Sequence, residues 1–152
     1  MSSFSSDYLV IDANIGWRLF TPHPDQARLD QQLTMQRTAG MRLVAPTLWR
    51  YEVTSILTKA LHFKQLTIDE VEAAMRLSGR FDIDLLPPDA NLAAAALAWT
   101  VRLRRAAAYD SFYLALAERL ACDLWTVDHK LFNAVGVPWV HYVGSVTEES
   151  PS

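Results

Sequence analysis

The run Tyr8-Leu9-Val10-Ile11, ending at Asp12, does most to narrow what this chain can fold into. Four β-favouring apolar residues in a row suit a strand buried on both faces, as in parallel sheets covered by helices. The run stops at a carboxylate, followed by small Ala13 and by Asn14, a residue that caps helices well. Ligands of open parallel sheets bind beyond the carboxyl ends of the strands, so Asp12 stands where chemistry is usually done. A turn Asp or a helix N-cap would stand there too, and both readings remain open at this point.

The rest of the chain repeats the strand-then-helix pattern. Ile15 to Phe20 reads as a short helix stopped by Pro22 and Pro24. Residues 25–39 form an amphipathic helix with Ala27, Leu33 and Met35 on its apolar side and Gly40 as the residue after its cap. Arg42 to Ala45 is a second strand, and Pro46 suits the first position of a helix running to about His62. Thr67 and Glu70 have the spacing of a capping box, opening a helix that ends at Gly79. Ile83 to Leu86 is a third strand closed by Pro87-Pro88, and Asp89 caps an alanine-rich helix to about Leu103. Tyr109 to Leu120 is a helix apolar nearly all round and therefore buried. Cys122 to Val127 is a fourth strand ending at Asp128, with a short helix at Leu131-Phe132. A fifth, edge strand spans Pro138 to Val143, and the tail from Thr147 is expected to fray. This alternation predicts an α/β fold: a three-layer α/β/α sandwich around a mainly parallel sheet of four to five strands. A single domain over residues 1–152 is expected, with its core at about 7–142 and short flexible tails.

Composition excludes several classes. With 51% hydrophobic and 20% charged residues, the chain can bury a core and is not disordered. Its longest apolar run, Leu92 to Trp99, is eight residues and rich in alanine, far below the ~20 that cross a bilayer, so no membrane partner is expected. The first residues show neither a basic segment nor an apolar core of a signal peptide. One cysteine, Cys122, leaves no internal disulfide, and a reducing cytoplasm is the expected setting. Five tryptophans are many for this length, and some are expected at an exposed interface. The net charge of −3 counts weakly against nucleic-acid binding, although acids that bind a divalent cation would make the formal charge misleading.

The acids carry the chemistry. Asp12 and Asp128 each end a strand, Asp110 begins a helix, and Glu52 shares a helical stripe with Leu48 and Ile56. A solvated position beside Arg50 or Lys59 is the plain alternative for Glu52, as capping is for each Asp. Carboxylates crowded at one sheet edge would raise one another's pKa, and a hard cation such as Mg²⁺ or Mn²⁺ relieves that repulsion. The four histidines lack zinc-site spacing, the glycines are isolated rather than in a phosphate loop, and no GxSxG elbow is present. Arg102, Arg104 and Arg105 read either as a solvated helix end or as contacts to phosphate.

Four stretches in order resemble the motifs of PIN-domain ribonucleases. These are Asp12 after its strand, Pro46-Thr47-Leu48-Trp49-Arg50-Tyr51-Glu52-Val53, Tyr109-Asp110-Ser111-Phe112-Tyr113-Leu114, and Leu124-Trp125-Thr126-Val127-Asp128. The second is most similar to the VapC toxins of toxin–antitoxin pairs. The resemblance implies a Mg²⁺- or Mn²⁺-dependent endoribonuclease, frequent homodimers, and inhibition by a VapB-like antitoxin. By position it implies Asp12, Glu52, Asp110 and Asp128 as catalytic acids. Of these, Asp12, Asp110 and Asp128 would hold the metal, and Asn14 and Thr126 would line the site. Ser55 stands where many VapC-like chains carry Asn, and His129 replaces a commoner small or basic residue; neither change removes an acid. Rival readings are a housekeeping RNA-processing nuclease, a non-catalytic interaction module of the same fold, and a receiver-like domain. The last would need an acceptor Asp where this chain has Leu85-Leu86-Pro87.

Overall fold

In the computed structural model, which describes residues 6–105 and 107–145, the element order is that of a doubly wound domain. β1 (Tyr8–Ile11) leads through α1 (Ala13–Phe20) and α2 (Gln26–Thr38) to β2 (Arg42–Pro46). Next come α3 (Leu48–His62), α4 (Ile68–Arg80) and β3 (Asp84–Leu86). The second half runs α5 (Ala90–Leu103), α6 (Tyr109–Leu120), β4 (Asp123–Thr126), α7 (His129–Val135) and β5 (Val140–Tyr142). The tail expected to fray from Thr147 lies outside the described residues.

The five strands pair in the order β3-β2-β1-β4-β5, and every pairing is parallel. The chain thus moves outward from β1 to β3 and then returns to the other side of β1. Right-handed crossovers in opposite directions put helices on both faces of the sheet. α1 to α4 pack on one another, with α2 and α3 reaching β2. α5 packs on α6, which lies across β1, β2 and β4, while α7 covers β4 and β5. Leu9, Val10 and Ile11 of β1 are accordingly buried on both sides, as an uninterrupted apolar strand requires.

Several local expectations change. Asp12, rather than Asn14, caps α1: it accepts from the Ile15 amide, and exposed Asn14 is the helix's second residue. Pro46 ends β2 opposite Leu86 instead of opening α3, a place open to proline where a ladder ends. In α2 the buried residues are Leu29 and Leu33, one turn apart, whereas Ala27 and Met35 are exposed. In α3 the core stripe is Trp49, Val53, Leu57 and Ala60. Leu48, Glu52 and Ile56 form the half-buried flank beside it. Trp49, Trp99 and Trp139 are buried, while Trp17 and Trp125 are partly buried against the core. The exposed aromatics among the described residues are Tyr8, Tyr51, Phe63 and Tyr109, so tryptophan count did not mark the exposed surface. The capping box of α4 is present in full, with Thr67 and Glu70 each accepting the other's amide at 3.2 and 2.9 Å.

α1 and α3 meet at a glycine. A Cβ on Gly16 would come within 2.9 Å of the Trp49 ring and 3.1 Å of Phe20. Gly16→Ala should therefore lower stability by about 1–3 kcal/mol through overpacking, against the ~1 kcal/mol alanine otherwise gains inside a helix. Urea unfolding of the two proteins measures the difference.

Candidate active site

The site grows from the end of β1, where strand order reverses. Asp12 is the first residue past β1, and its backbone N–H donates to the Trp125 carbonyl at 3.2 Å, tying it to β4. Only 7% of Asp12 is exposed. Its Oδ1 accepts from the Ile15 amide at 3.2 Å, and its Oδ2 accepts from the Thr126 hydroxyl. The same hydroxyl accepts the Asp128 amide at 2.9 Å, so one side chain at the end of β4 organises both acids. Asp128 in turn accepts from the Leu131 amide at 3.0 Å and caps α7. Asp12 and Asp128 are thus both helix caps, and the one Thr126 hydroxyl bonds the Asp12 carboxylate and the Asp128 amide.

The other two acids arrive from helices on opposite faces of the sheet. α5 and α6 run antiparallel, with Thr100 and Ser111 hydroxyls 2.8 Å apart and Asp89 bonded to Arg119. This hairpin puts Asp110, in the first turn of α6, beside the ends of β1 and β4. Glu52 of α3 accepts a 2.6 Å hydrogen bond from the Tyr113 hydroxyl of α6. Arg50 instead points to the Ser78 carbonyl, so it is not the partner of Glu52.

Charge crowding follows from these positions. Burial pushes the Asp12 carboxyl up to about 7; bonds from Thr126 and Ile15 oppose the rise, and the charges of Asp110 and Asp128 add to it. Asp110 is raised by burial and by Asp128, against Arg105. Glu52 is raised by burial and by Asp110, against its bond from Tyr113. Burial and the Glu52 charge push the Tyr113 hydroxyl far above its ordinary value, so it stays a neutral donor. Asp25 gives the contrast. It is also buried, but the bonds and charges of Arg28 and Arg18 outweigh that burial and hold its carboxyl low. Asp25 is a neutralised structural acid, whereas the charges that reach Asp12 are negative.

Asp12, Asn14, Glu52 and Asp110 line a cleft of about 190 Å³ together with Ser55, Lys59 and Tyr113. Lys59, which the sequence offers as a solvated neighbour of Glu52, lines the cleft with it, whereas the sequence gives Tyr113 no place there. Lys59 lies seven residues after Glu52, two helical turns along the same face, which is a usable signal; nothing local pairs Tyr113 with Glu52. The three arginines separate. Arg105 bonds Asp110 at 2.9 Å, Arg102 lies 4.6 Å over the Trp99 ring, and Arg104 is an exposed left-handed C-cap. His129, which opens α7, packs edge-on against Tyr142. Among the described residues no group of three or more His, Cys, Asp or Glu side chains forms a ready cage for a metal ion. The donors are all oxygen, and with Asp128 outside the cleft lining they fit a hard cation that takes one or two carboxylates directly and reaches a further one through its waters.

Fold and site together define a parallel, doubly wound α/β domain with an acidic cleft at its strand-order switch. The PIN domain family model matches residues 9–137, and the chain belongs to that family. Two solved structures share the fold. One is described as a toxin-antitoxin complex from Klebsiella pneumoniae, at 20% identity and a TM-score of 0.60, covering 88% of this chain and 95% of that one. The other is described as FitAB bound to an IR36 DNA fragment, at 20% identity and a TM-score of 0.56, covering 88% and 94%. No curated protein matches the chain in sequence. Among the described residues, no helix is long and apolar enough to cross a membrane.

The raised Asp12 carboxyl sets a pH test. Unfolded, it loses its proton near 3.8; folded, near 7. The folded state thus holds the proton more tightly, and the associated stability, full below about pH 4, is lost as pH rises toward 7. In chelator, Asp12→Asn should therefore gain on wild type between pH 5 and 8, by on the order of 2–3 kcal/mol. Parallel melting curves across that range would contradict the buried, uncompensated charge.

Proposed function

We propose that this PIN-domain protein is a Mg²⁺- or Mn²⁺-dependent endoribonuclease, the toxin of a VapBC-type pair. The observation that carries the reading is Asp12, buried, held by the Thr126 hydroxyl and surrounded by the negative charges of Asp110 and Asp128. A fold needs no such arrangement. A metal-dependent phosphodiester hydrolase does, because its substrate is an anion and the acids must recruit a cation to receive it.

Asp12, Asp110 and Asp128 would hold the ion through carboxylate oxygens, with Asn14 lining the approach. When bound, it supplies positive charge to the phosphate and acidifies water at neutral pH. The chain's own groups do the rest. Thr126 fixes the orientation of Asp12, and Tyr113 holds Glu52 at the cleft edge, where its raised pKa suits it to accept a proton from an attacking water. Arg105 neutralises Asp110 and lies within reach of a phosphate once the cation takes over that role. Arg102 and Arg104 remain candidates for phosphate contact farther along the strand, Arg102 after leaving the Trp99 ring.

The toxin assignment rests on the wording of the second motif and on the fold shared with the toxin-antitoxin complex from Klebsiella pneumoniae. It carries with it a small VapB-like antitoxin partner, a homodimer, and a cytoplasmic setting. The buried lone Cys122, whose thiol burial pushes up to about 12, suits that reducing setting.

Mn²⁺ should raise the melting temperature of wild type and have little effect on Asp12→Asn. RNA should be cut only with the ion and only by wild type. Chelator-resistant cleavage, or an Asp12→Asn protein as active as wild type, would contradict the reading. Thr126→Val keeps all four acids but frees Asp12, and should weaken Mn²⁺ binding roughly 10- to 100-fold by calorimetry. Expression without an antitoxin should arrest bacterial growth, and Asp110→Asn should relieve the arrest.

A further inference from the structure

The outer strands hold a polar pair that phosphodiester hydrolysis leaves unused. Trp125 and His141 are partners in register across β4 and β5, and Asp123, two residues before Trp125, shares their face of the sheet. Tyr142 points the other way, onto His129 and Phe132 of α7. Asp123, Trp125 and His141 instead line a cavity of about 360 Å³, bordered by Leu9 and by Gln36 of α2. Asp123 opens β4, at the end of that strand opposite the acid cleft. Its side chain is only 11% exposed. His141 Nε2 lies 3.4 Å from Asp123 Oδ2, beyond the ~2.7–3.2 Å of an N–H···O bond. Among the described residues four buried side-chain atoms have no hydrogen-bond partner, and two of them are Asp123 Oδ1 and His141 Nε2. Buried orphans are costly, and two side by side call for a common partner.

The separation identifies what fits between them. Two donors, each about 2.1 Å from one tetrahedral ion, stand roughly 3.4 Å apart. An octahedral ion with bonds of that length would draw them to roughly 3.0 Å. An imidazole nitrogen beside a carboxylate oxygen suits Zn²⁺, whereas the all-oxygen cleft suits hard cations. We infer that His141 Nε2 and the Asp123 carboxylate bind Zn²⁺, which staples the edge strand β5 to β4. Mn²⁺ ranks lowest of the first-row divalent ions at such a site, so the two sites sort their ions by chemistry. Two protein donors are fewer than a permanent zinc centre has. The ion is therefore exchangeable, and water, with Gln36 on the same cavity wall, completes its shell. The competing arrangement is a protonated His141 bonded directly to Asp123, which would close the gap and exclude the ion. This inference stands apart from the nuclease reading.

The test uses the full chain carrying Asp12→Asn, which takes the acid cleft out of the measurement, and Zn²⁺ alone as the probe. In protein with ¹⁵N-labelled histidine each imidazole reports separately. His141 Nε2 should shift first in the titration, before any nitrogen of His23, His62 or His129. Calorimetry should show one saturable Zn²⁺ site that an equal concentration of Mg²⁺ does not displace. His141→Ala and Asp123→Asn should each abolish that heat, and His129→Ala should keep it. Zn²⁺ should also raise the melting temperature of the parent and leave that of the first two variants unchanged, because the site exists only when β4 and β5 are paired. Melting in chelator shows whether each variant folds. Asp123→Asn keeps the side-chain shape, so it decides the matter even where His141→Ala does not fold. Zn²⁺ binding that survives Asp123→Asn, a first shift at another histidine, or no saturable binding by the parent would overturn the site. Loss of the nuclease reading, by contrast, would leave all of these results unaltered.

Discussion

Keeping a carboxylate at the buried end of the central strand is the constraint on which the rest of this structure depends. Asp12 follows three fully buried residues and has a hydroxyl and an amide, not a cation, to satisfy its oxygens. Two charge-free hydrogen bonds do not offset the removal of a carboxylate from water, hence the carboxyl raised to about 7. On the proposed reading, that uncompensated charge would be what draws a cation to the cleft. Replacing Thr126 by an apolar residue would loosen Asp12, and replacing Asp12 by a neutral one would relieve the fold.

The other acids solve the same problem by sharing. Asp128 spends one oxygen on a helix cap, which suits the positive end of α7. Glu52 leans on a phenol, and Asp110 on a guanidinium. The Glu52–Tyr113 bond joins α3 on one face of the sheet to α6 on the other, so the cleft can open only as far as both helix layers allow. Trp49 fixes the first of these layers. It is fully buried and pressed against Gly16, with its ring parallel to Phe81 at 6.1 Å. Trp49 thus anchors the helix that carries Glu52.

The strands and the acids that end them were legible because both signals are local. Apolar runs stop at Asp12 and Asp128, and parallel strands bring such ends to one edge. Glu52 was legible as an acid on a half-apolar flank, but the true core stripe lay one residue over, at Trp49 and Val53. A periodicity of 3.6 does not separate neighbouring stripes when both contain aliphatics. Pro46 suited two positions equally well by its fixed φ, and only its pairing with β3 decides between them. The Tyr113–Glu52 bond spans 61 residues and leaves no trace in local pattern. The arginine cluster read as one feature because its members are adjacent. Helical spacing within α5 lays Arg102 over Trp99, and the left-handed turn at Arg104 separates it from Arg105, which pairs with Asp110.

The central claim is that Asp12, Asp110 and Asp128 act as one cation site while the remaining acids do not. Carboxyl resonances of ¹³C-labelled protein, followed during a titration with Mn²⁺, address it residue by residue, because the paramagnetic ion broadens only nuclei close to it. Asp12, Asp110 and Asp128 should broaden first and together, with Glu52 next. Asp25, Asp84 and Asp89, held by arginines elsewhere, should stay sharp. Broadening spread evenly over the surface acids, or a sharp Asp12 at saturating ion, would contradict the account.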